Sequence, residues 1–593
     1  MPGAIVFHDR LRHWPRQTFL RKAVYSLYIE TLTISGFRKF KHLSWECRPG
    51  LTVIVGENNS GKTALVDAVR AVLGNYDIDD DDFYTDTSSV GDPVSEISLS
   101  LTFTDLNPES EAQFLTALTK TSPGHYEAKL HHIAHREADS GVIQRRTTAK
   151  DPTASASFDI ASKCNLIYLR PQRDPHAGLR AGRGSQVSDL LHRIATEEQR
   201  KGITQLASES NDNLTSHPAI KAAADILASN LMAISGPSYT QPTALTFAQT
   251  TFLRLAQSLE ASAAGLPITQ NGLGYNNLIY IAAALGNLIS DEDSCYKALV
   301  IEEPEAHLHP HFQVLLLRFL QSAAEDVGRK VQVFVTTHSP ILASQAATDS
   351  ITVISNAPLV EELKPTVVGD QRLRAKIQQY LDATRSEFFF AKRVLLVEGD
   401  AELLLLPRLA LVAGVDIAAN GISVISAAGL NFDIFQPFLG EHALAVPCAI
   451  LSDGDPDTAQ SGPEGTGTDT SDFAASLSAQ YIDDPFVNVY LSKRTFEYDL
   501  ALERENGRVL ISAMSRLHPR LVERFNAFQG PERDEGFAER FYDTFFGHGS
   551  ASKPRFAMEL AVELSKANAN ATFVVPSYIR DALYFLTGRD KCS

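Results

Sequence analysis

Short apolar runs alternate with polar, glycine-containing segments along this 593-residue chain, and such runs are typical of buried parallel strands. In the first part, the strand-like segments are residues 27–34, 51–55, 97–103, 166–169, 297–301 and 331–335. A second group consists of residues 394–397, 421–425 and 446–451. Helical periodicity follows the runs at 51–55 and 394–397, and this alternation predicts parallel sheets. The predicted fold class is α/β, in two units that meet near residue 390.

The segment inside the first unit is helical rather than coiled-coil in pattern. No heptad repeat runs through residues 100–296, so a coiled-coil arm is not expected. Residues 187–264 are rich in Ala and Leu and predict amphipathic helices inserted into the first unit. The insertion is a dimerisation platform in one interpretation and a plain helical subdomain in the other. The glycine-rich residues 178–184 before it predict a loop.

Composition narrows the classes of protein that fit. Lys and Arg number 54 and Asp and Glu 71, so the net charge is −17, and DNA contact would have to use local basic patches or metal-bridged phosphates. The five cysteines are scattered without a CxxC pair, which favours a reducing cytoplasm over zinc or disulfides. The apolar runs are strand-sized, so no membrane span is expected. Residues 1–27 lack a signal-peptide pattern and are interpreted as an extension.

A complete P-loop pattern follows the strand at 51–55 and precedes a helix, which is the context this motif needs. Its glycines let backbone amides close around phosphates at the helix N-terminus. Lys62 is expected to reach the β- and γ-phosphates of ATP, and the Thr63 hydroxyl to bind Mg²⁺. The nucleotide-binding residues predicted here are Gly56, Asn58, Asn59, Ser60, Gly61, Lys62 and Thr63.

Two adjacent carboxylates end the strand at 297–301, and a histidine ends the strand at 331–335. We expect Glu302 to hold Mg²⁺ and Glu303 to orient and activate the attacking water. His338 is placed to sense or stabilise the γ-phosphate. A histidine alone would be interpreted as a packing residue, but the P-loop and the paired glutamates favour a role in hydrolysis.

Carboxylates also end two strands of the second unit. Glu398 follows the strand at 394–397, while Asp453 and Asp455 follow the strand at 446–451. Parallel strands bring these ends to one edge of a sheet, where three carboxylates repel one another unless a cation shares them. Mg²⁺ prefers carboxylate oxygens, phosphate and water, so this edge predicts a site for metal-assisted phosphoryl transfer.

The motifs of the first unit together resemble the ABC-type ATPase heads of SMC, Rad50 and RecF proteins over residues 28–360. The resemblance implies that Arg38 touches nucleotide, although Ser35-Gly36 replaces the Asn of the family's Asn-Phe-Arg element. It also implies that residues 271–277 hold the place of the signature motif, which contacts nucleotide across a dimer, in a form unlike the usual Ser-Gly-Gly-Gln. Gln172 is the candidate for the Q-loop glutamine.

The second unit resembles a Toprim domain, and a head followed by Toprim without a coiled-coil arm resembles the OLD (overcoming lysogenisation defect) family of ATP-dependent nucleases. The resemblance implies that Glu402, one turn beyond Glu398, is a further metal ligand. It implies the same for Glu497. Lys553 matches the family's late lysine, which stabilises charge on the phosphate or leaving oxygen, although Pro554 follows it where Gly is frequent.

These resemblances imply a domain order and a function. The predicted domains are an N-terminal extension (1–27), an ABC ATPase head in two parts (28–180 and 265–390), an inserted helical dimerisation region (181–264) and a Toprim nuclease domain (391–593). The implied function is a nucleotide-regulated DNA endonuclease or nickase that uses ATP and Mg²⁺ or Mn²⁺ in defence against phage. The implied partners are double-stranded DNA, further copies of the chain in a homodimer or tetramer, and a helicase-like protein.

Two rival functions stay open on the sequence. The first is an ATP-driven DNA clamp of the Rad50 or RecF type, whose Toprim unit does not cut. The second is a topoisomerase-like enzyme with a tyrosine nucleophile, for which Tyr490, Tyr498 and Tyr542 are available.

Two motifs are interpreted as non-functional. Residues 79–82, four aspartates, predict a solvated acidic loop rather than a metal tract. His131 and His135 have an i, i+4 spacing but lack the Glu of HExxH, so no metal is expected there.

Overall fold

The structure is a computed structural model, and its described residues are 27–86, 93–138, 140–153, 160–171, 173–248, 250–326, 331–355, 362–364, 369–440, 443–455, 471–526, 534–547, 551–566 and 572–589. The Q-loop candidate Gln172 and nearly all of the predicted extension lie outside them. The strands are β1 (Tyr28–Phe37), β2 (Phe40–Glu46), β3 (Leu51–Val55), β4 (Glu96–Thr104), β5 (Leu118–Ser122), β6 (His125–Arg136), β7 (Ile143–Ala149), β8 (Cys164–Leu169), β9 (Ser262–Ala263), β10 (Leu266–Pro267), β11 (Tyr296–Glu302), β12 (Val331–Thr337), β13 (Ile351–Val353), β14 (Glu362–Leu363), β15 (Arg393–Val397), β16 (Ile422–Ser426), β17 (Cys448–Ser452) and β18 (Val487–Leu491).

The helices are α1 (Lys62–Val72), α2 (Pro108–Gln113), α3 (Pro175–Leu179), α4 (Gln186–Ile194), α5 (Glu197–Thr215), α6 (Pro218–Ser235), α7 (Phe252–Gln257), α8 (Leu273–Ile289), α9 (Pro310–Glu325), α10 (Pro340–Gln345), α11 (Gln371–Tyr380), α12 (Asp400–Val412), α13 (Asp472–Gln480), α14 (Phe496–Leu502), α15 (Gly507–Leu517), α16 (Pro519–Asn526), α17 (Asp534–Phe545), α18 (Lys553–Leu564) and α19 (Ser577–Thr587). None of the described helices is long and apolar enough to cross a bilayer.

Three sheets form the framework. A seven-stranded sheet has the order β14-β2-β1-β4-β6-β5, with β7 paired to β6, and its pairs are antiparallel except for β14 with β2. A five-stranded parallel sheet has the order β13-β3-β12-β11-β8. A four-stranded parallel sheet has the order β16-β15-β17-β18. The prediction of an α/β fold in two units, each with a parallel sheet, is confirmed.

The carboxyl ends of the parallel strands place the predicted motifs together. In the five-stranded sheet, β12 lies between β3 and β11, so the P-loop, Glu302 and the segment before His338 meet at one edge. In the four-stranded sheet, β15 and β17 are neighbours, with Val397 paired to Leu451. Glu398 and Asp453 therefore leave adjacent strands at the same edge.

The two parallel sheets share one apolar core. It runs from Val333 and Leu299 of the five-stranded sheet to Leu396 and Ile450 of the four-stranded sheet. A short 3-10 segment, Arg385–Phe390, lies between them and is anchored by aromatic contacts. Phe389 packs edge-on against Phe438 with ring centroids 5.1 Å apart. A separate core joins the other face of the four-stranded sheet to helices α15–α19.

The predicted helices over 187–264 are confirmed as α4 to α7, but their burial differs from that of ordinary amphipathic helices. Helices α5 and α6 contain no buried residue, although α6 is rich in Ala, Ile and Leu. Large apolar side chains are exposed along α6, including Ile226, Met232 and Ile234.

Three local segments need comment. Between β16 and β17 the chain forms a pair of 3-10 turns, Phe432–Ile434 and Gln436–Phe438, rather than a longer helix, because Pro437 lies within this segment. The four aspartates are not wholly solvated: Asp82 is only 2% exposed, since Arg38 holds it in an ion pair of 2.7 Å. His131 and His135 lie on strand β6, and His131 Nδ1 forms a hydrogen bond with Ser100 Oγ at 2.5 Å.

Candidate functional site

The P-loop lies between β3 and α1, as its pattern predicts. Gly61 has a φ of 107°, which L-residues other than glycine rarely adopt, so only glycine lets the loop close here. A side chain at Gly56 would overlap the backbone oxygen of Ile354. Together with residues of neighbouring elements, the loop lines a cavity of about 580 Å³. The lining residues are Arg38, Lys39, Asn58, Asn59, Gly61, Lys62, Thr63, Ala64, Glu303, Thr336 and His338.

Lys62 is held by the loop itself. Its Nζ donates to the backbone oxygens of Gly56 at 2.8 Å and Glu57 at 2.6 Å, and lies 3.4 Å from His338 Nδ1. Burial lowers the pKa of Lys62 to about 8, although the nearby glutamates oppose this. An anion in the cavity would restore the full charge of this ammonium group.

Thr63 and Glu302 meet where the predicted Mg²⁺ site requires them. The Thr63 hydroxyl donates to Glu302 Oε2 at 3.2 Å. Glu302 is 2% exposed, and its Oε1 has no hydrogen-bond partner among the described residues. Burial, and secondly Asp67, raise the pKa of Glu302 to about 7. A buried carboxylate oxygen without a partner, beside a hydroxyl, suits a cation that prefers oxygen ligands.

Glu303 and His338 face each other across the cavity. Glu303 adopts a φ of 45°, a strained conformation, and its Oε1 lies 3.5 Å from His338 Nε2. Burial, and then Lys62, lower the pKa of His338, so the ring favours the neutral form. Glu305 fixes the backbone behind this ring, since its Oε1 accepts from His338 N at 2.7 Å.

Arg38 lies at the cavity, but its guanidinium is occupied. It forms ion pairs with Asp67 at 2.9 Å and Asp82 at 2.7 Å. The neighbouring Lys39 also lines the cavity, and its Nζ donates to the backbone oxygen of Ser60 at 2.6 Å. No motif marks Lys39, although its position beside Arg38 would have pointed to it.

The segment in the signature position is fixed against the loop that follows Glu303. Helix α8 begins at Leu273, and a side chain at Gly274 would overlap the backbone oxygen of His307. Arg173 connects the two elements: Nε donates to Asn277 Oδ1, and Nη1 donates to the backbone oxygen of Glu302 at 3.0 Å. The sequence assigns no role to Arg173, which belongs to no local motif, or to Glu305, which lies two residues after Glu303.

The second candidate site is built at the edge of the four-stranded sheet. Glu398 Oε2 accepts from the backbone N–H of Asp453 at 3.2 Å and lies 3.3 Å from Ser452 Oγ. Asp453 Oδ1 in turn accepts from the backbone N–H of Phe496 at 2.9 Å. Burial raises the pKa of Asp453 well above its usual range, and Glu398 raises it further. The structure therefore brings the predicted Glu398 and Asp453 together.

The residues implied by the Toprim resemblance surround this pair. Glu402 lies one turn along α12, and its Oε2 accepts from the backbone N–H of Gly399 at 3.1 Å. Burial, and then Glu497 and Glu398, raise its pKa to about 7. Asp455 is exposed at the rim with a φ of 36°, and its N–H donates to the backbone oxygen of Arg494 at 3.0 Å.

Glu497 and Lys553 form an ion pair inside the site. Lys553 Nζ lies 2.9 Å from Glu497 Oε2, and the Glu497 side chain is 1% exposed. Burial lowers the pKa of Lys553, but the Glu497 carboxylate outweighs it, so the net shift is upward. The other oxygen of Glu497, Oε1, has no hydrogen-bond partner in the described part of the chain.

The donor chemistry of this edge fits a divalent cation, although the side chains are not grouped for one. Carboxylate oxygens predominate, and Glu497 Oε1 is buried without a partner. Yet within the described residues no three His, Cys, Asp or Glu side chains stand close enough to hold a metal ion. Like charges keep apart without a shared cation, and Lys553 supplies the positive charge at Glu497.

The candidate tyrosine nucleophiles have different surroundings. The ring of Tyr490 packs near that of Phe585, with centroids 6.3 Å apart, and burial raises its pKa to about 12. Tyr498 is 9% exposed, and burial raises its pKa as well. A raised pKa opposes formation of the phenolate, so neither tyrosine is activated as a nucleophile.

Comparison with known proteins finds a matching domain family for each of the two units. Residues 133–343 match the AAA ATPase domain family, residues 31–165 match an AAA domain family, and residues 389–455 match the Toprim domain of proteins like the overcoming lysogenization defect protein. The resemblance to the OLD family is confirmed. The OLD nuclease of Thermus scotoductus is 25% identical over 455 residues, which cover 72% of this chain and 82% of that protein.

Other OLD-like relatives match smaller parts. Endonuclease GajA of Bacillus cereus is 26% identical over 219 residues, which cover 32% of this chain and 31% of that protein. The solved C-terminal region of the Burkholderia pseudomallei OLD protein is 22% identical, with a TM-score of 0.25, and covers 34% of this chain and 98% of that one. The family matches therefore give the chain an ATPase domain followed by a Toprim domain.

Proposed function

We propose that this chain is a nucleotide-regulated endonuclease or nickase that cleaves double-stranded DNA with Mg²⁺ or Mn²⁺. The observation that carries the proposal is the set of acidic side chains around Asp453, joined by Lys553, at the edge of the Toprim sheet. The nuclease names of the OLD and GajA relatives support it. The metal ligands would be Glu398, Glu402, Asp453, Asp455 and Glu497.

The surroundings of each residue at this edge indicate its role in phosphodiester cleavage. A bound cation supplies an activated water and neutralises the leaving oxygen. Glu398 and Asp453 are held in place by backbone N–H groups, so they are positioned before any ligand arrives. Lys553 leaves Glu497 and turns toward the phosphate, where its charge stabilises the developing negative charge.

The ATPase site acts through the residues of the first sheet. Lys62 binds the β- and γ-phosphates, while Thr63 and Glu302 hold Mg²⁺. Glu303 orients the attacking water, and His338 contacts the γ-phosphate. The loop residues Asn58, Asn59 and Ser60 complete the phosphate cradle, and Arg38 stabilises the cavity wall through its ion pairs.

Self-association through the helical insertion is part of the proposal. Helix α6 exposes Ile226, Met232 and Ile234 at 63%, 54% and 83%, an apolar surface that a monomer would leave in water. Helices α5 and α6 of a second copy would cover this apolar surface, giving a homodimer, and two homodimers can pair into a tetramer. The resemblance to OLD proteins further supports a role in defence against phage beside a helicase-like partner, in the cytoplasm.

One experiment tests the nuclease. Supercoiled plasmid is incubated with Mg²⁺ or Mn²⁺, with and without ATP, and the wild type is compared with Asp453→Ala and Lys62→Ala. Loss of nicked and linear product in Asp453→Ala supports the proposal, while Lys62→Ala reports whether ATP promotes or restrains cleavage. DNA ends linked to protein would instead indicate a tyrosine mechanism.

A DNA clamp of the Rad50 or RecF type is the second candidate. It is favoured by the observation that no three acidic side chains in the described residues stand at metal-binding distance. In that case the wild type would cut no plasmid under any nucleotide or metal condition, yet would still hydrolyse ATP.

A further inference from the structure

Arg494 lies on the loop between β18 and α14, and this loop is fastened to the candidate nuclease centre. The backbone N–H of Arg494 donates to Asp499 Oδ1 at 3.3 Å, and its backbone oxygen accepts from Asp455 N at 3.0 Å. Two residues further on, the N–H of Phe496 donates to Asp453. The backbone of Arg494 is therefore fixed relative to two of the proposed metal ligands.

The side chain of Arg494 is positioned by aromatic rings. Its guanidinium carbon lies 4.9 Å from the ring centroid of Tyr542 and 5.6 Å from that of Tyr498. Tyr498 packs in the core of the Toprim unit, and Tyr542 packs against the same core, so both rings are held in place. Tyr542 is also close enough to Lys553 to influence the pKa of that ammonium group.

The guanidinium has no carboxylate partner among the described residues, in a chain that carries 71 acidic residues against 54 basic ones. Ring faces hold a cation without using its N–H groups, so the planar donors of Arg494 remain available. An available guanidinium beside an acidic centre matches an anionic ligand with oxygen acceptors, and a phosphodiester is the anion this centre would meet.

We propose that Arg494 binds a backbone phosphate of the DNA strand that enters the nuclease centre. The phosphate it binds is a neighbour of the one that Lys553 and the metal ligands address. This assignment rests on the proposed function. A net charge of −17 opposes DNA binding by the surface as a whole. A guanidinium positioned by aromatic rings next to the nuclease centre provides a local positive charge that can attract a DNA phosphate.

The test measures DNA affinity of the otherwise unaltered chain in EDTA, which withholds the divalent cation that cutting would need and leaves the contact between Phe496 and Asp453 in place. The probe is a fluorescein-labelled DNA duplex, followed by anisotropy over a series of salt concentrations. We expect Arg494→Gln to weaken binding about 5- to 10-fold and to reduce the slope of log K against log salt by about 1. Arg494→Lys keeps the positive charge but loses the planar N–H donors of the guanidinium. Its affinity for the duplex should therefore lie between that of the protein with Arg494 and that of Arg494→Gln.

Two further variants separate this role from a structural one. Arg520→Gln removes one positive charge at an exposed position of the same unit, and its affinity should stay within about twofold of the unaltered protein. Tyr542→Leu keeps Arg494 but removes its ring support, and should weaken binding, whereas Tyr542→Phe should not. Thermal melting confirms that each variant is folded.

The outcomes distinguish this inference from the nuclease proposal. If the wild type cuts plasmid but Arg494→Gln binds the duplex with unchanged affinity and salt slope, the assignment of Arg494 is wrong and the nuclease stands. An equal loss in Arg520→Gln would also overturn it, because the effect would then be general charge. If the wild type never cuts but the affinity losses appear as expected, the phosphate site stands and the nuclease does not.

Discussion

The Thr63 hydroxyl donates a hydrogen bond to Glu302 Oε2 at 3.2 Å, joining the P-loop to a strand end 239 positions away in the chain. The contact closes the ATPase site around a carboxylate that is almost fully buried. Glu302 Oε1 forms no hydrogen bond of normal geometry within the described residues, although the Tyr168 hydroxyl is close enough to lower the pKa of this carboxylate.

The first prediction concerns the pH dependence of stability at Glu302. Its pKa is raised from 4.5 to about 7, so the folded protein keeps a proton that the unfolded chain releases between these values. The stability this provides is present in acid and is lost as the pH rises through about 7. We expect Glu302→Gln to raise the free energy of unfolding by about 1–3 kcal/mol at pH 8 and to change it little at pH 5.

Urea denaturation without nucleotide at the two pH values measures this effect. Glu198→Gln, at an exposed helical position, is the matched control and should change stability at neither pH. An equal gain at both pH values would contradict a charge effect at Glu302.

The second prediction concerns Glu303, which faces His338 across the cavity at 3.5 Å. Glu303→Gln keeps the shape and removes the base, so ATP turnover should fall by at least about 100-fold. Binding of ATP, measured by fluorescence titration of a labelled analogue, should stay within about twofold. Loss of binding together with turnover would show that Glu303 supports the fold of the loop instead.

The third prediction uses two glycines at the start of α8. A side chain at Gly274 would overlap the backbone oxygen of His307, whereas one at Gly272 would meet open space. Gly274→Ala should push the helix from the loop that carries Glu303 and lower the ATPase rate by about 10-fold or more. Gly272→Ala should leave the rate within about twofold. Equal rates in the two variants would show that this contact does not affect hydrolysis.

The fourth prediction concerns the ion pair between Lys553 and Glu497. Lys553→Met leaves a buried carboxylate unpaired, and should destabilise the protein by about 2 kcal/mol, a value reduced from that of a fully buried pair because Lys553 is 43% exposed. Adding Glu497→Gln to this variant should recover most of the loss. Denaturation of the single and double variants measures the coupling energy between Lys553 and Glu497. If the loss of unfolding free energy in the double variant equals the sum of the losses in the single variants, the two residues are not coupled.

The fifth prediction concerns α6. Ile226→Glu places a charge on the exposed apolar surface and should convert the proposed homodimer to a monomer, as measured by light scattering after gel filtration. Ile482→Glu, at a site that is 80% exposed in the Toprim unit, should leave the mass unchanged. If the wild type is already monomeric, the proposal that the inserted helices form a dimerisation platform is wrong.

The features that the sequence predicts most clearly are the side chains that lie together at the carboxyl ends of parallel strands. Glu398 and Asp453 could be paired in advance because adjacent parallel strands end at one edge. Thr63 and Glu302 could be paired through the P-loop pattern, since the strands that precede them, β3 and β11, are separated by β12. The contact of Arg173 with Asn277 joins residues 104 positions apart through packing alone, so no local pattern marks it. The ion pair of Arg38 with Asp82 likewise depends on how β1 meets the loop after α1, and the sequence suggested only a solvated loop.

The core that the two parallel sheets share constrains how the proposed ATPase site could act on the proposed nuclease site. Close-packed interiors do not bend continuously. Phe389, in the segment that connects the two units, packs against Phe438 within the shared core, so this connection is not a flexible linker. Movement of the ATPase sheet therefore carries the Toprim sheet with it as one body. Under the proposed function, the nucleotide cycle would move the Toprim edge relative to a duplex or a second copy without changing the arrangement of side chains within that edge.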